Sequence, residues 1–350
     1  MKVLRVLTVP RVLRVLVLKV LVLRVLRVLV LRVLVPEVLA VLLVTAPVAA
    51  AERYALIVSG ANGEASYAEQ YGQWRQSTVA ALLEKLGFDD SKILTLFDGG
   101  DAHHAATAAG VRRSIDALRA RMRPDDLLFV LLLGHGSFDG IEAKFNLVGP
   151  DLSSAEWAAL LKPLPGQIVV VNTTAASFPF LEHLAGARRV VITATDSVAQ
   201  RFDTVFPEYF ISALTDASAD LDKNGRVSIW EAFTAANMGV RRYYTQRGQL
   251  ATERALIDDN GDGVGRETGG EGTDGSLSSR LYLDPDVPGA APTDEELLQL
   301  LQKRAALQID ADELKERRQL MTPDEYQKEF ERVMVALASV SRDIRRKQKA

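Results

Sequence analysis

The sequence predicts an α/β protein built on a doubly wound, mostly parallel sheet flanked by helices. Three observations carry that expectation. Short apolar runs recur and end in turn residues, and amphipathic stretches of helical length lie between them. One run, residues 126–133, is apolar on both faces, as the centre of a parallel sheet must be. Strands that alternate with helices imply right-handed βαβ crossovers, and ligand sites in such sheets lie beyond the carboxyl ends of the strands.

The first strand covers residues 54–59 and runs into the turn Gly60-Ala61-Asn62-Gly63. Tyr71, Trp74, Val79, Leu82, Leu83 and Leu86 then recur near helical spacing, with Gly87 as the stop signal. A second strand spans 92–97, a helix follows over 106–121, and the doubly apolar run 126–133 is the third strand. Residues 154–161 form a short helix capped by Ser153 or Ser154. Strands four and five cover 167–172 and 189–194. Two loops fall at strand carboxyl ends: residues 134–140 and 172–178.

The flanking segments differ in composition. Residues 1–35 repeat Val-Leu-Arg, with no stretch apolar over the roughly 20 residues a spanning helix needs. An apolar run from Val38 then ends in Ala49-Ala50-Ala51 before Glu52. A basic region, a short apolar core and an Ala-x-Ala site are the parts of a secretory signal, so residues 1–51 are read as an export segment and the protein as secreted or periplasmic. The basic part is longer than an ordinary signal has, and an uncleaved anchor or a surface-lying amphipathic helix stays open; membrane contact would come only through this segment. The α/β body is expected over 52–248, an Asp- and Gly-rich loop and linker over 249–292, and a helical hairpin over 293–350. In that hairpin Leu300, Leu307, Leu314 and Met321 fall seven apart, and Tyr326, Phe330, Val333, Leu337, Val340 and Ile344 repeat at four-three spacing. Thr293 and Thr322 each open a capping box. Such a hairpin offers a route to oligomers.

Bulk properties exclude several classes. Hydrophobic residues at 48% and charged residues at 25% suit a buried core rather than disorder. A net charge of -3 argues against a general grip on nucleic acid. The chain has no cysteine, which removes disulfides, thiolate metal sites and any thiol nucleophile.

The loop after the third strand reads Gly134-His135-Gly136-Ser137. A strand ending in His-Gly-Ser, followed by a hairpin, a short helix and a second apolar strand ending near small residues, resembles the legumain-like, caspase-fold cysteine peptidases, a group that includes metacaspases and gingipains. The resemblance covers about residues 53–245 and points to a bacterial member. In that family the His follows one strand and a cysteine nucleophile ends the next. The matching stretch here is Asn172-Thr173-Thr174-Ala175-Ala176-Ser177, with Thr174 at the cysteine's place and Ser177 near the family's glycine. The resemblance therefore implies a peptidase fold with His135 present and the nucleophile missing. An internal threonine has no α-amine to activate it, so a catalytically silent peptide- or protein-binding protein is expected. A hydrolase using Thr174 or Ser177 with His135 is the alternative within the same fold. A calcium-stabilised scaffold assembling through its C-terminal helices is an alternative of another class.

The calcium expectation rests on spacing. Asp220, Asp222, Asn224, Gly225, Arg226, Ser228 and Glu231 occupy every coded place of an EF-hand loop, with Arg226 contributing its carbonyl and Glu231 closing the site. Helical flanks are expected over 208–214 and from Glu231 to about Tyr244. A second, partial loop offers Asp258, Asn260 and Asp262, but its closing position is Gly269, and Glu267 could stand in only with altered geometry.

Overall fold

The computed structural model describes residues 51–268, 274–285 and 295–347. The export segment, Thr293 and Gly269 lie outside the described residues. Among those described, no helix is long and apolar enough to cross a membrane.

The sheet has six strands. β1 (Arg53–Ser59), β2 (Ile93–Leu96), β3 (Leu127–Leu133), β7 (Gln167–Asn172) and β8 (Arg189–Thr193) run parallel, and β9 (Leu256–Asp258) runs antiparallel beside β8, in the order β2-β1-β3-β7-β8-β9. A smaller antiparallel sheet of β4 (Gly136–Phe138), β5 (Ala143–Phe145) and β6 (Leu152–Ser153) lies between β3 and β7 in the chain. The helices of the body are α1 (Ala65–Ala80), α2 (Ala108–Arg121), α3 (Ser154–Leu161), α4 (Phe178–Leu184), α5 (Phe206–Ala213) and α6 (Ile229–Gln246). A π-helical turn, Ala81–Lys85, prolongs α1 toward Gly87, which takes a positive φ of 62°.

Alternation along the central strands builds two cores. In β3, Phe129, Leu131 and Leu133 face one side, while Leu128, Val130 and Leu132 face the other, and all are buried. The first side packs Leu82, Phe206, Phe210 and Phe233, from the turn after α1 and from α5 and α6. The second packs Val111, Ile115, Leu118, Trp157, Phe180 and Leu184, from α2, α3 and α4. Each such side chain withdraws apolar area worth about 1.5–3 kcal/mol relative to exposure. This two-sided cover is why β3 reads as an unbroken apolar run rather than an alternating one.

Local signals place the helix ends. Thr107 caps α2 by accepting from the Gly110 amide, and Ser153, rather than Ser154, caps α3 through a capping box with Glu156. The segment before Phe206 contributes α4, which the sequence reading left out, and β9 arises inside the stretch read as loop. Neither is long enough for periodicity to show.

At the C-terminus, α7 (Glu295–Glu316) and α8 (Pro323–Lys347) pack against each other. Of the expected seam, Leu314 is buried on the first helix, beside Ala311 from outside it, and Val333, Val340 and Ile344 are buried on the second. Thr322 caps α8, donating its hydroxyl to Glu325 and accepting from the Glu325 amide.

The chain turns outward from β1 to β2, then returns across β1 to β3. The switch point of the sheet is therefore the crevice between the carboxyl ends of β1 and β3, the place where open α/β sheets take ligands. His135 stands there.

Candidate functional site

Backbone geometry at the end of β3 fixes where His135 points. Gly134 takes a φ of 138°, open to glycine and strained for other residues, and a Cβ there would come within 3.3 Å of the Gly60 amide just beyond β1. The imidazole turns toward α1. The Tyr71 hydroxyl lies 3.1 Å from Nε2, and Asp203 Oδ1 lies 3.5 Å from Nδ1. Tyr67 meets the same ring edge-on at 4.5 Å between centroids and donates its hydroxyl to Asp203. Burial, with Asp203 adding to it, pushes the Tyr71 hydroxyl above its ordinary range, and the bond to Asp203 does the same for Tyr67. Both phenols therefore stay protonated, and the Tyr71 hydroxyl shares a hydrogen bond with the imidazole whose direction follows the ring's tautomer.

The end of β7 is adjacent, since Leu132 pairs with Asn172. Thr174 is wholly buried. Its hydroxyl donates to Asn172 Oδ1 at 2.8 Å, and the same oxygen accepts the Thr174 amide at 3.1 Å. Asn172 Nδ2 is buried with no partner, so the amide is committed to holding this loop through its oxygen. Ser177 is also wholly buried; its Oγ sits 3.0 Å from Thr195 Oγ1 and accepts the Thr195 amide. Ala176 between them takes a φ of 50°, a strained conformation for a residue with a Cβ. Among the described residues, no hydrogen bond joins His135 to Thr174 or to Ser177.

A third loop, residues 194–205, closes the arrangement and carries Asp203. Ala176 donates its amide to the Gln200 carbonyl, and Thr204 donates its hydroxyl to the Thr173 carbonyl. Glu253, only 3% exposed, accepts the amides of Val205 and Phe206 at the start of α5 and the Tyr244 hydroxyl. Burial raises its carboxyl to about 7, against the amide bonds that favour the charge.

The EF-hand-spaced residues do gather. Oxygens of Asp220, Asp222 and Glu231 lie within 4.8 Å of one another, the one such acidic group among the described residues. Lys223 and Gly225 take positive φ of 63° and 88°, which curls the loop so that Asp220 accepts the Asn224 and Gly225 amides. Asn224 Oδ1 accepts the Arg226 amide. The Arg226 side chain turns away to Asp284 at 2.7 Å and over the Tyr282 ring, so position seven has only its carbonyl to offer. Ser228 caps α6 through a capping box with Glu231, whose other oxygen accepts the Leu221 and Asp222 amides. Burial, then repulsion from Glu231, raises Asp222 to about 7, and burial raises Glu231. Charges crowded this way are relieved by a hard cation with oxygen ligands. The departing helix starts where expected, but α5 ends at Ala213, so the entering helix does not run into the loop as an EF-hand's would.

Asp258, Asn260 and Asp262 sit in a tighter turn. Asp258 accepts the Gly261 and Gly263 amides, and Asp262 accepts the Val264 amide. Glu267 is engaged by Arg241 and Arg254 instead. The neighbouring Asp259 is buried and accepts the amides of Gly275, Leu277 and Ser278, while Asp274 accepts those of Asp259 and Asn260. This acidic stretch is a brace that ties the end of β9 to residues 274–278.

Sequence reasoning missed Tyr67, Tyr71 and Asp203 as partners of His135. Tyr71 sits in an amphipathic run, where an aromatic reads as core. Asp203 lies on an irregular loop with no spacing to mark it.

Comparison with known proteins adds a fold neighbour at most. No family model matches the chain, and no curated protein does. Among solved structures, the crystal structure of protein GSU0716 from Geobacter sulfurreducens is similar at 15% identity with a TM-score of 0.42, over 67% of this chain and 100% of that one.

Proposed function

We propose that this chain is a catalytically silent protein of the legumain-like, caspase-fold type, exported, stabilised by calcium, and used to hold a peptide or protein segment rather than to cut it. One observation carries the reading: at the place of the family's nucleophile stands Thr174, wholly buried, with its hydroxyl spent on Asn172. A hydroxyl needs a base in hydrogen-bond reach to become a nucleophile, and His135 is engaged by Tyr71 and Asp203 instead. The order of elements supports the fold part. β3 leads into His135, a small antiparallel sheet and α3 follow, and the neighbouring β7 leads into Thr174. The gathered oxygens of Asp220, Asp222 and Glu231 support calcium, and the basic-apolar segment ending at Ala51 supports export.

The binding role is tested by passing a peptide library over immobilised protein with and without calcium. Peptides retained intact, and released by His135→Ala or Asp203→Ala, are the expected result. Retention that neither substitution alters would place binding elsewhere on the molecule and remove the His135 site from the account.

A further inference from the structure

The long C-terminal helix α8 has a face that packing against α7 leaves unused. Val333, Val340 and Ile344 are buried on the α7 side. Opposite them runs a second stripe at four-three spacing, formed by Asp324, Lys328, Glu331, Val335, Ala338, Arg342 and Arg345, and all of these are exposed. A helix face that meets only water is polar along its length. The middle of this one is apolar instead: Val335 is 63% exposed, and Met334 beside it 43%.

Charge divides the stripe at that apolar centre. Glu331 stands before it and Arg342 after it, and among the described residues neither forms an ion pair; Arg342 donates to the Ser339 hydroxyl at 3.5 Å. Other charges of the helix do pair along it, Glu329 with Arg332 and Asp343 with Arg346. The helix dipole favours acids in the first turn and bases in the last, and its pull fades beyond them. That accounts for Asp324 and Arg345. It does not account for Glu331 and Arg342, which lie more than a turn inside the ends at Pro323 and Lys347.

A second copy running antiparallel makes the stripe complementary to itself. With a two-fold axis midway between Val335 and Ala338, each Val335 packs on Ala338 of the other copy, and each Glu331 meets its Arg342. Ala338 is small enough for close approach at that centre. A parallel copy would set Glu331 against Glu331 and Arg342 against Arg342. The antiparallel register leaves one like-charged pair, Lys328 with Arg345, at the ends of the contact, where Asp324 lies one turn from Lys328. We infer that α8 pairs through this outer face with α8 of a second copy of the chain, antiparallel, to give a two-fold dimer. This dimer does not depend on the function proposed for the His135 site.

Sedimentation of the full chain across the micromolar range tests this, with a reversible monomer–dimer equilibrium as the expected result. Glu331→Arg or Arg342→Glu alone sets like charges together at both symmetric pairs and should weaken the dimer about tenfold. The double variant carrying both substitutions restores the pairs and should return the dissociation constant of the wild type. Both positions are exposed, and an unchanged circular dichroism spectrum shows that each variant keeps its helices. Orientation is read separately. The chain has no cysteine, so a spin label on Gln327→Cys is unique, and Gln327 is exposed. The two labels of an antiparallel dimer stand about 30 Å apart at 1.5 Å per residue, whereas a parallel pair brings them within about 15 Å. A monomer throughout the concentration range overturns the inference, as does a dimer that neither single reversal weakens. A double variant as weak as the singles, or the short label distance, overturns it equally.

Discussion

Gly136 and Thr174 interlock at the carboxyl ends of neighbouring strands: a Cβ on Gly136 would overlap both the Thr174 hydroxyl and the Ala175 carbonyl. The glycine after His135 therefore serves close packing against the loop after β7, and it carries no positive φ. Gly136→Ala should force the start of β4 away from residues 174–175 and cost about 3 kcal/mol, the upper range of overpacking where backbone must move. Urea denaturation measures this, and a loss under about 1 kcal/mol would show that the contact is loose.

The same pair marks how far the sequence could be read. Each of the five parallel strands was visible to within a residue or two, because apolar runs ending in Gly, Asn or Asp are a local signal. The adjacency of residues 134–137 with 172–177 needed the resemblance to a known layout. What surrounds His135 was not legible at all, since Tyr67, Tyr71 and Asp203 reach it through tertiary packing. For the acidic loops, spacing alone led to two metal candidates. Only Asp220, Asp222 and Glu231 gather carboxylates in space, whereas the Asp258–Asp262 turn spends its oxygens on its own amides.

Tyr71 ties α1 to the site. Tyr71→Phe keeps the buried ring and removes the hydroxyl 3.1 Å from His135 Nε2, so it should cost about 1 kcal/mol in stability, the net worth of one such bond. Imidazole resonances in NMR spectra should also broaden or shift as the ring loses this partner. An unchanged His135 signal would contradict the bond.

Glu253 gives a pH dependence whose sign is fixed. Its carboxyl is raised from 4.5 to about 7 in the fold, so between those values the native state holds a proton that the unfolded chain has released. Stability should therefore fall as pH rises from about 4.5 to about 7, by at most about 3 kcal/mol from this group. Glu253→Gln should flatten that slope and be neutral or stabilising at pH 8. Chemical denaturation across pH settles the matter; a slope unaltered in the variant would assign it to other groups.

Calcium should raise the melting temperature, because an ion bound only by the native state adds RT ln(1 + [L]/Kd), about 2.7 kcal/mol at a hundredfold excess over Kd. Glu231→Gln also disturbs the α6 cap, so the increment between chelator and calcium is the quantity to compare, and it should shrink or vanish. Binding should weaken below about pH 7, since Asp222 must lose its proton to bind a cation and its carboxyl is raised to about 7. An equal calcium increment at pH 5.5 and pH 8 would separate the ion from this cluster.

The measurement closest to the central claim is a time course of wild-type protein at equimolar ratio with a peptide library, with calcium present, read by mass spectrometry for new termini. With the Thr174 hydroxyl buried and bonded to Asn172, the account predicts no cleavage above a no-protein control, with Thr174→Ala indistinguishable from wild type. Turnover by wild type that is abolished in Thr174→Ala or Ser177→Ala would contradict it and make this chain a working hydrolase.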